Sequence, residues 1–192
     1  MRDLLARIVT GVLIGAVAGA ASANEASRTK AREAMVLCES VDRMPESERP
    51  VALARLAEGL AFGEAAIALD PDDARAHLAL CCNLGKQIDL GGLNWRIVGQ
   101  VRRMRVEIDR AQALDPDDID VLITKGEMLR RLPRVFGGDR DEGVALLRRA
   151  VELRPDSVVA RLYLARALAA ERSPATRTSA PGEQARVVSI GE

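Results

Sequence analysis

The chain has 192 residues, which is long enough for one continuous core or for a short stack of repeats. Apolar residues make up 48% of it and aromatic residues only 2%, a composition that suits closely packed helices with small side chains between them. Its 28 basic residues balance 28 acidic ones, so it lacks the basic excess of a nucleic-acid-binding protein.

The N-terminal segment differs from the rest of the chain. Arg2 and Arg7 give it a positive start, an uncharged apolar run covers residues 8–20, and small residues then lead up to Ala23. This order is typical of a secretory signal over residues 1–23 with cleavage after Ala23. It predicts a periplasmic or secreted protein.

The same segment allows an alternative, a membrane anchor over residues 8–23. Gly11, Gly15 and Gly19 are spaced four residues apart, as in membrane helices that pack against a neighbour. The run is short for a span of about 20 residues. We therefore expect membrane contact only if this segment stays uncleaved.

A first helix is predicted at residues 25–44, ending at Pro45. After it, a phrase built around proline recurs: residues 68–73 return as residues 113–118, and residues 152–157 are a looser copy. Proline cannot continue the helix before it but fits the first turn of the next one, and the following Asp or Ser can cap that helix. Each phrase is therefore predicted to be a corner between two helices.

Apolar stripes with helical spacing precede and follow each proline, which predicts about seven helices arranged as antiparallel hairpins. Hairpins of this kind bury their apolar faces only by stacking on one another. The upstream stripes are Leu53, Leu56, Leu60, Gly63 and Ile67; Ile97, Val101, Met104, Ile108 and Ala111; and Val144, Leu147 and Ala150. The downstream stripes are Leu80, Cys81 and Leu84; Leu122, Gly126 and Leu129; and Leu162, Ala165 and Leu168.

These offsets resemble the tetratricopeptide repeat. That family places a small residue five positions before the closing proline and another early in the next helix, followed three residues later by a large one. The matching residues here are Ala66, Ala111 and Ala150; Cys81, Gly126 and Ala165; and Leu84, Leu129 and Leu168. The resemblance implies an all-α, right-handed solenoid of stacked hairpins over residues 24–171, which binds partners and is not an enzyme.

The prolines are 45 and then 39 residues apart, whereas this repeat has about 34 residues. The excess is expected as inserts at residues 86–96 and 131–140, each with a double glycine, and Asp139 is expected to cap the next helix. Lengthened hairpins of this kind resemble two groups of repeat proteins. One is the periplasmic accessory component of tripartite (TRAP) import systems; the other is the regulator-of-microtubule-dynamics type.

The resemblance also implies a partner-binding surface, because the first helix of each hairpin lines the concave face of such a solenoid. A mixed lining of aliphatic and charged side chains suits a protein or peptide partner. Trp95 is a possible anchor at the mouth of this groove, or a residue that holds the first insert to the solenoid. The lining residues are Arg75, Leu78, Cys82, Lys86, Asp120, Ile123, Glu127, Arg130, Arg131, Val159, Leu162 and Arg166.

Residues with catalytic or metal-binding potential are few. His77 is the only histidine, so we expect a packed structural role for it and no metal site. The aspartates after Pro71 and Pro116 are expected to cap helices, with calcium binding as the alternative. No phosphate loop or nucleophile–base pair is present, and no cofactor is expected.

Three cysteines, Cys38, Cys81 and Cys82, allow at most one internal disulfide. Neighbouring positions on a helix point about 100° apart, so Cys81 and Cys82 are not expected to bridge each other. We expect at least two of the three to be small buried apolar residues, and whether any disulfide forms stays open.

Arginines cluster on the fourth helix, at positions 96, 102, 103, 105 and 110, and again on the third hairpin. We expect a solvated face with ion pairs inside the helix; an arginine-rich docking surface for an acidic partner or lipid headgroups is the alternative. Residues 172–192 have no apolar period and are expected to form a disordered tail.

Two functions remain on this reading. The first is an exported, non-enzymatic scaffold that binds a protein or peptide in the groove of the solenoid. The second is a periplasmic accessory protein of a solute-uptake system that handles a small ligand. The sequence leaves the partner and the oligomeric state open.

Overall fold

The computed structural model describes residues 22–92 and 97–172, and within these ranges the chain forms only helices, turns and short loops. Three predicted features lie wholly or mostly outside the described residues: the signal, of which residues 1–21 are not described, Trp95, and the tail, of which residues 173–192 are not described. No helix among those described is both long enough and apolar enough to cross a bilayer.

Seven α-helices make up the described part of the chain, as predicted. They stack as antiparallel hairpins, which confirms the all-α solenoid. Short 3-10 helices, Val41–Arg43, Glu46–Glu48 and Arg134–Phe136, lie in the connections. The helices are α1 (22–40), α2 (Arg49–Leu69), α3 (Ala74–Gly91), α4 (Ile97–Leu114), α5 (Ile119–Arg131), α6 (Arg140–Leu153) and α7 (Val158–Arg172).

The three proline corners have the same structure. At each one the first residue after the helix donates its N–H to the carbonyl of a fully buried alanine four residues earlier. The capping residue then donates its own N–H back across the proline, and its side chain accepts an N–H of the next helix, an interaction that stabilises a helix by about 1 kcal/mol. The alanines are Ala66, Ala111 and Ala150, and the caps are Asp73, Asp118 and Ser157.

The core fills the space between successive helices with Leu, Ile, Val and Ala. One cluster joins α3, α4 and α5 around Leu80 and Ile108, and a second joins α5, α6 and α7 around Leu122 and Leu147. All four of these side chains are almost completely buried, and full burial of such a side chain stabilises the fold by about 1.5–3 kcal/mol. Each cluster spans more than one hairpin, so the hairpins stabilise one another.

The first α-helix ends earlier than predicted, at residue 40 instead of residue 44. Residues 22–40 are α-helical, the chain tightens to a 3-10 turn at Val41–Arg43, and Met44 is extended with φ −81° and ψ 135°. A residue before proline is disfavoured in the α-helical region, and Met44 precedes Pro45. The prediction of a helix through residue 44 was therefore wrong.

The first insert is not a loop for most of its length. Residues 86–91 continue α3 as regular helix, and the chain leaves it at Gly92, where φ is 69°. The second insert does leave the helix, with Gly137 in the left-handed region at φ 79° and the Asp139 side chain capping α6. Both positive φ angles fall on glycines, which tolerate them without strain.

The last helix has an exposed face where a buried stripe was predicted. Leu162 is 45% exposed and Ala165 is also exposed, whereas Ala160 and Ala167 are buried against α5 and α6. In α3 and α5 the positions equivalent to Ala165 face the second helix of the hairpin. No described helix occupies that place beside α7, so its stripe stays open to solvent.

A disulfide joins α1 to α3 between Cys38 and Cys82, whose Cα atoms are 6.1 Å apart. Two of the three cysteines, Cys38 and Cys81, are buried as predicted, but Cys38 is half of the disulfide, so Cys81 is the only free thiol among the described residues. Nearby, the Asn83 side chain donates to the Ala34 carbonyl, so the same stretch of α3 is also hydrogen-bonded to α1.

Candidate functional site

A groove of about 610 Å³ runs along one side of the stack. Residues from α1, α3, α5 and α7 form its sides, and we call these four the wall helices. Val101 and Met104 of α4 reach its floor between them. Alternate helices therefore line the groove, as the repeat resemblance implies.

The floor of the groove is rich in methionine. Met35, Met104 and Met128 come from three different helices and line the same cavity, and they are three of the five methionines in the sequence. Leu78 and Ile123 extend the apolar surface along α3 and α5. Methionine side chains are flexible and polarizable, so this floor can adapt to aliphatic groups of different shape.

The rim of the groove carries ion pairs that join neighbouring wall helices. Lys86 of α3 lies 2.5 Å from Asp42, just after α1, and its Nζ also donates to the Cys38 carbonyl at 2.9 Å. Arg131 of α5 lies 2.9 Å from Asp89 of α3. Each of these cations thus connects two successive repeats along the groove.

Arg75 makes the third such connection, at the corner between α3 and α5. Its guanidinium lies 2.8 Å from Asp118 and 2.9 Å from Asp120. Partial burial by itself lowers the pKa of Arg75, but the hydrogen bond to Asp120 and the charges of Asp118, Asp120 and Asp115 outweigh it and raise that pKa. Asp118 is buried and also caps α5, so one carboxylate stabilises both a helix and a contact between repeats.

Acidic groups outnumber basic groups on the groove surface. Glu39 of α1 is exposed and forms no ion pair with any described residue, and Glu127 pairs with Arg130, whose side chain lies outside the groove. The acidic lining residues are Glu39, Asp42, Asp89, Asp120 and Glu127, and the basic ones are Arg75, Lys86 and Arg131.

Nine of the predicted lining residues border this groove. They are Arg75, Leu78, Cys82, Lys86, Asp120, Ile123, Glu127, Arg131 and Val159. Their part in partner binding remains a prediction. Cys82 differs from the expectation in its chemistry, because it is half of the disulfide.

Three predicted lining residues lie elsewhere. The side chain of Arg130 packs on Gly143 of α6, where a Cβ would come within 2.6 Å of the Arg130 Cγ. Leu162 is on the open face of α7, and the Arg166 guanidinium lies 5.9 Å from the ring centre of Tyr163. The offsets from the proline phrase hold along α3 and α5 as far as Lys86 and Arg131, whereas these three positions are not among the residues that line the groove.

The α1 side of the groove was missed by sequence reasoning. Met35 and Glu39 line it, but no proline phrase precedes α1, so its register had nothing to be aligned with. A usable signal existed in the spacing of Ala31, Ala34 and Cys38, which are all buried. That stripe defines the inner face of α1 and places Met35 and Glu39 beside it.

His77 has the packed structural role predicted for it. It is 6% exposed; its Nε2 donates to the Pro71 carbonyl at 2.9 Å, and its Nδ1 lies 2.7 Å from the Glu107 carboxylate. The ring therefore ties the first proline corner to α4. Both nitrogens are engaged, so neither is available to a ligand.

The aspartates after the prolines act in capping and ion pairing. Asp73 caps α3 and accepts a hydrogen bond from Ser27, Asp72 pairs with Arg110, and Asp117 pairs with Arg149 at 3.2 Å. Within residues 22–92 and 97–172, no group of three or more His, Cys, Asp or Glu side chains is arranged to hold a metal ion.

The arginines of α4 are bound to other elements more than to their own helix. Arg103 lies 2.8 Å from Glu64 of α2, and Arg105 donates to the Phe136 carbonyl at 3.1 Å. The contact of Arg103 with Glu107, inside the helix, is longer at 3.8 Å. The expected solvated face with an ion pair inside the helix is present, but these long side chains also pair with other elements across the stacked hairpins. Position 96 lies outside the described residues.

No protein-family model matches the chain, and no curated protein is similar to it in sequence. Solved structures do match its fold. One is a tetratricopeptide-repeat domain of Arabidopsis OM64, with a TM-score of 0.51 and 14% identity, covering 77% of this chain and 98% of that domain. The chain thus has a tetratricopeptide-like fold.

Proposed function

We propose that this protein is an exported, non-enzymatic adaptor that binds a peptide segment of a partner protein in the groove between the wall helices. The observation that carries the proposal is the open groove itself, which combines a methionine-rich floor with a charged rim. An extended or helical peptide presents both apolar and polar groups along its length, so it matches such a lining.

Two features support export. The N-terminal sequence has the charge and hydropathy order of a secretory signal. The disulfide between Cys38 and Cys82 is of a kind that persists in oxidising compartments and is rare in the reducing cytosol. N-terminal mass spectrometry of the protein from its native host tests this: Asn24 as first residue supports the proposal, and an intact N-terminal segment in the membrane fraction contradicts it.

A small-ligand accessory protein is the second candidate, and the groove volume favours it. About 610 Å³ lies within the range of about 300–1,000 Å³ typical of small-molecule pockets. The rim cations, however, are already engaged by acids of the neighbouring helices. A small anionic solute would have to compete with those acids for its contacts.

Adjacent valines at the start of α7 allow a matched test of peptide binding. Val159 lines the groove and is 53% exposed, whereas Val158 does not line it and is 69% exposed. Peptides selected from a random displayed library on the oxidised protein are labelled, and their affinities are measured by fluorescence polarisation. We expect Val159→Glu to weaken binding at least about tenfold and Val158→Glu less than about twofold, since only the first places a charge in the groove.

Circular dichroism of both variants checks that they fold. Equal effects of the two substitutions, or failure of the library to yield any peptide that binds, would contradict peptide binding in the groove. If small solutes of an envelope extract bind and are displaced by Val159→Glu while no peptide binds, the accessory function replaces the proposal.

A further inference from the structure

The arrangement of charges in the groove indicates which class of peptide it binds. This inference rests on the proposed function. The basic lining residues are all bound to acids of a neighbouring element. Lys86 bridges to Asp42, Arg131 to Asp89, and Arg75 to Asp120 and Asp118. An acidic partner would gain a contact with these cations only by weakening a bridge that holds two repeats together.

The acidic residues of the groove, in contrast, are not all fully engaged in ion pairs. Glu39 is exposed on the α1 wall without an ion pair among the described residues, and it borders the groove together with Asp42, which is 63% exposed in its side chain even when paired. At the opposite corner a single guanidinium, that of Arg75, serves both Asp118 and Asp120. Carboxylate oxygens that can pair with a further cation therefore remain at both ends of the groove.

The floor sets the second requirement. Met35 of α1, Met104 of α4 and Met128 of α5 all line the groove, so the apolar surface between its charged residues accepts aliphatic side chains. A purely polar basic segment would leave this floor exposed to water.

We propose that the groove binds a cationic amphipathic peptide, one that places aliphatic side chains on the methionine floor and lysine or arginine side chains along the Glu39 and Asp120 rims. Its positive charges complement the acidic surplus without displacing Lys86, Arg75 or Arg131 from their bridges. The acidic rim also raises the rate of encounter with such a partner at low salt.

The test uses three synthetic peptides of about 18 residues that share one leucine-rich face and carry Lys, Gln or Glu on the other. Binding to the full oxidised chain is followed by fluorescence polarisation. We expect the Lys peptide to bind at least about tenfold more tightly than the Glu peptide, and the gap to shrink in about 0.5 M NaCl because salt screens exposed charges. A fourth peptide, with Lys kept and the leucines changed to Ser, should lose binding.

Two glutamates of α1 provide the matched variants. Glu39 borders the groove, and Glu33 is also exposed on the same helix but lies outside it. We expect Glu39→Lys to weaken binding of the Lys peptide at least about threefold. Glu33→Lys should change the affinity for this peptide by less than about 1.5-fold. Circular dichroism again reports folding.

A Glu peptide that binds as tightly as the Lys peptide, or equal effects of the two glutamate variants, would overturn the charge assignment. In that case the random-library selection still reports whether the groove binds peptides at all. Failure of this inference and failure of the proposed function are therefore seen in different experiments.

Discussion

At the scale of single residues, Cys81 and Cys82 show how neighbouring positions on one helix acquire different chemistry. Cys82 faces α1 and is bonded to Cys38, while Cys81 points into the core and is 1% exposed. Burial raises the pKa of the Cys81 thiol to about 12, and the nearby carboxylates of Glu107 and Asp109 add to the effect. The thiolate is the reactive form, so this side chain is protected chemically as well as sterically.

We predict that iodoacetamide labels none of the three cysteines of the folded, oxidised protein at pH 8. Unfolding without reductant should expose one thiol, and unfolding with reductant all three, as counted by intact mass. Rapid labelling of the folded protein at a single cysteine would contradict the burial of Cys81. Labelling of three cysteines without reductant would contradict the disulfide.

The same shift has a consequence for stability at high pH. Because the pKa of Cys81 is raised in the folded state, the stability that its neutral thiol contributes is fully present below the unfolded pKa near 9 and is lost as pH rises toward about 12. The Cys81→Ala variant should not show this loss of stability. Comparing its free energy of unfolding with that of the unchanged protein over this pH range therefore separates the effect of Cys81 from the titration of other groups.

At the scale of helices, close packing depends on glycines at particular crossings. A Cβ on Gly126 of α5 would lie 2.9 Å from the carbonyl oxygen of Gly143 on α6, and a Cβ on Gly143 would lie 2.6 Å from the Gly126 carbonyl oxygen. Both positions therefore need glycine for the two backbones to approach. A Cβ on Gly99 of α4 would meet no atom within 4 Å, so Gly99 has no such role.

We predict opposite effects for two Gly→Ala substitutions. Gly126→Ala should lower the free energy of unfolding by about 1–3 kcal/mol, because α5 and α6 must move apart. Gly99→Ala, on an exposed helical surface, should raise it by about 0.5–1 kcal/mol through the better helix propensity of alanine. Urea denaturation of each variant measures the change, and a neutral Gly126→Ala would show that the crossing is not tight.

How far the sequence predicts these elements depends on how local the determinant is. The corners at Pro71, Pro116 and Pro155 follow from short-range chemistry, and the structure has them as predicted. The continuation of α3 to Gly91 does not follow, because a double glycine indicates a loop unless its packing is known. The disulfide requires α1 to approach α3, and the sequence does not encode that distance in any local pattern.

At the scale of the whole molecule, the stack has unequal support along its length. Helix α5 is covered by α3, α4, α6 and α7, whereas α7 packs against α5 and α6 and leaves Val158 and Leu162 open. In a solenoid each repeat contacts only its neighbours, so a helix at the end of the described stack has fewer stabilising contacts. Nine of the residues predicted on α3, α5 and α7 border the groove, whereas no residue of α1 was predicted, because no repeat defines the register of that helix.

We predict that hydrogen exchange is graded along the stack. Amides of α7 should exchange at least about tenfold faster than those of α5 under native conditions, because local opening is easier where fewer side chains must separate. Peptide-level mass spectrometry after timed labelling measures both helices in one sample. Equal protection of α7 and α5 would mean that the open face of α7 is covered in solution.

The bond between Cys38 and Cys82 closes a ring, because the two residues are separated by 44 positions and the chain between them contains all of α2. A protease that cuts one peptide bond inside that ring would not release the N-terminal piece. The nicked molecule would keep two of the wall helices, α1 and α3, covalently joined, and the two fragments would separate only after a reductant opened the disulfide.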